Sequence, residues 1–176
     1  MSKKFFIDYL IEDYLGFLKD IKNLSDNSID AYKRDILKFR NFLALSKVNK
    51  LDDISEEISS SWIGSLYSMN IGSRSIQRHL SSVKGFFKYL QKNHLIGQSP
   101  FELISGPKIE KKLPETLTPE QINKLLDFKP ASLIEIRDLA IIELMYSSGL
   151  RVSETVNVNI QDFEEGKDFL RVVGKG

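Results

Sequence analysis

The chain has 176 residues, 41% of them hydrophobic, with 25 Lys/Arg against 24 Asp/Glu for a net charge of +1. That apolar content can fill one medium core or two small ones, and any polyanion-binding surface must come from the arrangement of charge, not its total. The absence of cysteine excludes disulfides, thiolate metal sites and cysteine nucleophiles, and two histidines, His79 and His94, far from any carboxylate cluster, leave no expected metal site.

Ile7, Leu10, Ile11, Tyr14, Leu15 and Leu18 recur at helical spacing and predict a first helix over about residues 4–22. Asp8, Glu12 and Asp13 interrupt the apolar run a signal peptide needs, and no stretch approaches the ~18 apolar residues of a membrane span. A soluble, cytoplasmic protein without a membrane partner is expected. After the polar break Ser25-Asp-Asn27, which can cap a helix, Ile29, Tyr32, Ile36, Phe39 and Leu43 mark a second helix. A third is expected from about Glu56 to Met69, with Ile58, Trp62, Leu66 and Met69 inward, and a fourth from about Ser73 to Asn93. Four helices joined by short loops read as an all-helical bundle over residues 1–98.

Four of the five prolines fall between Pro100 and Pro119, with Gly106 and the pair Lys111-Lys112 among them. No amphipathic period survives there, so residues 99–117 read as a linker. From residue 118 helical signals return. Thr118-Pro-Glu-Gln121 and Ser132-Leu-Ile-Glu135 are capping boxes. The second opens a helix expected to pack Ile134, Ile141, Leu144 and Met145 and to stop at Gly149. A short helix near Ser153–Val158 follows. Then Asp162–Asp168 is turn-like and Phe169–Val173 is β-prone, the first hairpin of a sheet.

Charge is concentrated on the fourth helix. At 100° per residue, Arg74, Arg78, Ser81, Gly85, Lys88 and Lys92 lie within roughly 40° of one line, opposite Ile76, Leu80, Val83, Phe87 and Leu90. Lys84 flanks that line, and Lys108, Lys111 and Lys112 continue it into the linker. From Arg74 to Lys112 eight basic residues face only Glu102 and Glu110. Such a face is what any solvated helix can show. Its small centre at Ser81 and Gly85, and its continuation into the linker, fit a clamp on a DNA duplex. Further on, Arg151 follows the Gly149 stop near a helix N-terminus, where a guanidinium suits a phosphate whose charge grows in a transition state. Lys175, between two glycines, could give a proton to a leaving oxygen.

Leu24–Asp35, Arg78–Leu90, Ser99-Pro100, Leu113-Pro114, Arg137-Asp138, Ser148-Gly-Leu-Arg-Val-Ser-Glu154 and Val173-Gly-Lys-Gly176 stand in an order and spacing that resemble the tyrosine recombinases, nearest to the bacterial Xer type that resolves chromosome dimers. The resemblance spans essentially the whole chain. It implies a mainly α fold: a four-helix, SAM-like core-binding domain, then the start of an α+β catalytic domain at residues 118–176. It implies DNA cleavage and rejoining through a phosphotyrosine, with no metal or nucleotide cofactor. Arg151 is then the first catalytic arginine, Lys175 the hairpin lysine and Glu154 a support for the arginine's helix. The implied partners are a double-stranded recombination site and a related recombinase protomer.

The family's His-x-x-Arg and late nucleophilic tyrosine have no counterpart here. Neither histidine has an arginine three residues on, and all six tyrosines precede Arg151. An N-terminal portion, inactive alone, is therefore expected. The alternatives are part of a phage or mobile-element integrase, a non-catalytic DNA binder that occupies a recombination site, and the product of a decayed gene.

Overall fold

A computed structural model describes residues 5–109, 115–163 and 169–172. The chain divides into two compact units, Met1–Lys111 and Lys112–Gly176.

Four helices build the first unit: α1 Asp8–Asp20, α2 Asp26–Leu45, α3 Glu56–Ser68 and α4 Ser73–Lys92. A 3-10 turn, Leu51–Asp53, leads into α3. Each helix buries one stripe. Ile11, Tyr14 and Leu18 of α1 meet Ile36, Phe39 and Leu43 of α2, Trp62 and Leu66 of α3, and Ile76, Val83, Phe86, Phe87 and Leu90 of α4. Phe39 is the hub, its ring centroid 5.0 Å from Trp62, 5.9 Å from Phe87 and 5.3 Å from Phe101, all edge-on. Such pairs contribute ~0.5–1.5 kcal/mol each beyond their area burial. Arg40 of α2 clamps Asp8 of α1 with a two-nitrogen fork, Nε to Oδ1 at 2.8 Å and Nη2 to Oδ2 at 2.9 Å.

The packed unit reaches past residue 98. Phe101 is wholly buried and Ile104 nearly so, so the first residues of the expected linker contribute to the core. Proline and glycine there stop helices without preventing burial.

The helix ends follow a rule not visible as glycine in the sequence. After α1, α2, α3 and α4 come Asn23, Lys47, Asn70 and His94, each with φ between 50° and 57°. The next residue is apolar in every case: Leu24, Val48, Ile71 and Leu95. The amides of Val48, Ile71 and Leu95 bond back to the carbonyls of Leu43, Leu66 and Leu90 at 3.0–3.2 Å. That is the Schellman stop with side-chain-bearing residues in the left-handed position. At the second helix start Ser25 is the N-cap, but its hydroxyl meets Ser28 Oγ, not a backbone amide.

The second unit holds α5 Pro119–Leu126, α6 Leu133–Ser148 and α7 Val152–Thr155. Both capping boxes form: Thr118 N donates to Gln121 Oε1 at 2.8 Å, and Ser132 N to Glu135 Oε2 at 3.1 Å. Gly149 ends α6 with φ 65°. Two expectations of inward residues are corrected, Met69 just after α3 being 59% exposed. Ile134, expected inward, is 63% exposed, while Ile141, Leu144 and Met145 are half-buried. α6 carries apolar residues on all sides, so periodicity could not select its inner face. The β-prone segment makes, among the described residues, one antiparallel bridge between Phe163 and Leu170.

Candidate nucleic-acid interface

α4 is the longest strongly amphipathic element, and its outer face is basic. Arg74, Arg78, Ser81, Lys88 and Lys92 are exposed along it and Lys84 is half-buried. Among the described residues Arg74, Lys84, Lys88 and Lys92 make no ion pair or side-chain hydrogen bond. Four cations on one 20-residue helix thus remain available to an external anion.

The exit from the bundle lies along the same helix. Ile104 docks into the core, and Gly106 passes so close to α4 that a Cβ there would overlap the Gln77 side chain. A groove of about 500 Å³ results, lined on one side by Gln77, Ser81 and Lys84 and on the other by Ser105 and Lys108. Lys108 is exposed at this groove. Lys111 and Lys112, expected to extend the basic path, lie outside the described residues.

Two expectations for α4 change. Gly85 is not the open centre of the cationic face: a Cβ there would stand 2.8 Å from the Tyr14 hydroxyl of α1, so the missing side chain makes room for helix packing. The inner face is also wider than the apolar stripe, because His79, Ser82 and Phe86 are buried beside it.

Arg78 is not a free cation. Its Nη1 donates to both oxygens of Asp35 on α2, at 2.6 and 2.7 Å. Asp35 is 1% exposed and also accepts from Ser82 Oγ at 2.8 Å. His79 Nδ1 stands 2.8 Å from Asp35 Oδ1 without hydrogen-bonding alignment, so the contact is electrostatic. Burial pushes the His79 pKa below its usual value; Asp35 opposes that shift, and Arg78 and Lys38 reinforce it. A carboxylate this deep would be costly without such partners. Sequence reasoning does not find this cluster. Its one signal is a charged residue, Asp35, beside Ile36 on a core-facing stripe, with no explanation within its own helix.

In the second unit, Arg151 is the residue before α7. Glu154 holds it twice, accepting from the Arg151 backbone N–H at 2.8 Å and from Nη1 at 2.9 Å. These bonds keep the Glu154 carboxyl below the usual range. The arginine side chain is otherwise 78% exposed, so a carboxylate orients it and leaves its remaining donors outward. Lys175 lies outside the described residues. Among the described residues no group of three His, Cys, Asp or Glu could hold a metal ion, and no helix is long and apolar enough to cross a membrane.

Comparison with known proteins is consistent across the chain. Residues 11–94 match the family model described as phage integrase, N-terminal SAM-like domain, and residues 115–176 match the phage integrase family model. The tyrosine recombinase XerD of Staphylococcus epidermidis is 34% identical over 168 residues, 95% of this chain and 57% of that protein. XerD of Oceanobacillus iheyensis is 32% identical over 171 residues, 97% of this chain and 58% of that protein. The chain thus spans a little over half the length of these curated relatives. Among solved structures, the XerH site-specific recombinase bound to difH substrate aligns with a TM-score of 0.63 at 20% identity, over 96% of this chain and 51% of that one. The integrase from mycobacterium phage Brujita aligns with a TM-score of 0.52 at 20% identity, over 96% and 55%. At these identities the structural matches speak to the fold.

Proposed function

The chain belongs to the phage integrase family of tyrosine recombinases, and on that premise we propose that it is the duplex-binding helical domain and the first part of the catalytic domain of a Xer-type site-specific recombinase. The observation that carries this reading is the run of α4 cations, Arg74, Lys84, Lys88 and Lys92, unpaired among the described residues and continued at the groove by Lys108. Lysine neutralises phosphate and arginine can fork onto phosphate or guanine. A helix with such a row fits along or into a groove of DNA. The parent reaction is strand cleavage and rejoining at a recombination site through a phosphotyrosine, without metal or nucleotide cofactor, in the service of chromosome dimer resolution in the cytoplasm and together with a related protomer.

Within that reaction Arg151, steadied by Glu154, would bind the scissile phosphate and offset the charge that accumulates on its non-bridging oxygens. Lys175 would protonate the departing 5′ oxygen. The nucleophile is not among these 176 residues, so the chain alone binds DNA without cutting it. Incubation with end-labelled duplex followed by denaturing electrophoresis should give no covalent protein–DNA adduct.

The binding reading is tested by titrating a duplex at two salt concentrations. Arg74→Ala, Lys88→Ala and Lys92→Ala should each weaken binding and flatten the log–log salt dependence by roughly 0.9 for each phosphate no longer neutralised. Affinity and slope unchanged in all three would sink the α4 interface.

A further inference from the structure

Resting on the duplex-binding role of α4, we infer that Asp35 is a positioning residue that holds Arg78 as a preformed phosphodiester ligand. The two arginine–aspartate pairs of the helical unit show why. Arg40 commits its Nε and Nη2 fork to Asp8, at 2.8 and 2.9 Å, and both side chains are at least three-quarters buried. In that pair the side-on fork of the guanidinium is committed to a carboxylate. Arg78 gives Asp35 one nitrogen only, Nη1, shared between the two carboxylate oxygens. Its Nε and Nη2 have no partner among the described residues, and its side chain is 50% exposed. The edge of a guanidinium best matched to two phosphate oxygens is the one left over.

Asp35 cannot follow the arginine outward. It is 1% exposed, and Ser82 Oγ donates to it from α4, with His79 packed against it, while its backbone belongs to α2. The guanidinium is therefore fixed at one nitrogen and loses less freedom on meeting an anion than Arg74, Lys88 or Lys92, which hang on unrestrained stems. An opposing effect exists, since the Asp35 charge repels a phosphate. It acts from inside the protein across the intervening guanidinium, while the approaching phosphate is on the solvent side, where repulsion is screened. Orientation wins, and this sets the sign of the test.

The full 176-residue chain is titrated against a fluorescent duplex at fixed salt and near-neutral pH, with the thermal midpoint of each variant recorded. Arg78→Ala, which removes the fork, should weaken binding at least tenfold, and Asp35→Asn, which frees the guanidinium, about tenfold. The double variant should bind no worse than Arg78→Ala alone. Arg78→Lys keeps the charge without the fork and should behave like Arg78→Ala. The inference is overturned if Asp35→Asn binds as tightly as the parent chain or more tightly, if its loss adds in full to that of Arg78→Ala, or if Arg78→Lys matches the parent. Should Asp35→Asn not fold, Arg78→Lys decides, because that side chain ends at the surface. Lys88→Ala and Lys92→Ala separate the two readings: no loss with either removes the α4 interface itself, whereas a loss there with none at Arg78→Lys removes only the positioning role.

Discussion

The two units reach the same secondary structure by different means. Every buried hydrophobic residue among the described residues lies in the first unit, from Ile7 to Ile104. In the second unit Thr155 is the one described residue that is buried, while Leu133, Ile134, Ile136, Val152 and Ile160 are each more than half exposed. Tertiary packing holds α1–α4. Within these 176 residues the features that mark α5 and α6 are mostly local: two reciprocal capping boxes, a proline at the first helical position and a left-handed glycine stop. Sharp helix signals in a sequence thus mark where helices form, not how well they are supported.

The largest effect should come from separating the units. Residues 1–111 should melt cooperatively by circular dichroism, while residues 112–176 alone should lose helix gradually, because α5 and α6 are near or below the ~12–15 residues at which isolated helices become stable. A sharp, cooperative melt of the second piece would overturn this contrast. Next come single core substitutions. Trp62→Ala or Phe101→Ala should cost about 3–5 kcal/mol in urea unfolding, whereas Ile134→Ala should stay within about 0.5 kcal/mol. Ser132→Ala should cost about 1 kcal/mol, read as faster hydrogen exchange at the first turn of α6. A matching loss at Ser25→Ala in α2 is not expected, because that hydroxyl caps no amide.

The smallest effect is a pH dependence confined to the helical unit. The folded state holds the His79 pKa below 6.5, so the unfolded chain takes up that proton first as pH falls. The stability this histidine allows is therefore complete above about 6.5 and is lost as pH drops through that value towards the lower, folded one. The denaturation midpoint should decline on acidification and flatten in His79→Gln. A decline of equal size in the variant would assign it to other groups.

Much of this was legible beforehand. The capping boxes at Thr118 and Ser132 and the stop at Gly149 all follow from backbone chemistry that residue types report directly. What stayed hidden depends on neighbours. A helical wheel placed Gly85 at the centre of the basic face, but Tyr14 from another helix stands over it. Arg78 counted as one cation among several until Asp35, 43 residues away, claimed one of its nitrogens. Phe101 sat among turn-forming residues, and only the Phe39–Trp62–Phe87 pocket explains its burial.

The four left-handed helix ends of the first unit carry a practical corollary. A side chain in that conformation costs roughly 1–2 kcal/mol, while glycine in its place would give back about 0.5–1 kcal/mol in unfolded-state entropy. The second term offsets about half of the first, so glycine at positions 23, 47, 70 or 94 would gain only about 0.5–1 kcal/mol. What marks each helix end is the apolar residue that follows and its amide bond back to the helix, Leu24 to Leu18, Val48 to Leu43, Ile71 to Leu66 and Leu95 to Leu90. Lys47 and His94 are exposed, and are thus addressable points at which a dye, spin label or surface tether can be attached while the bundle keeps its register.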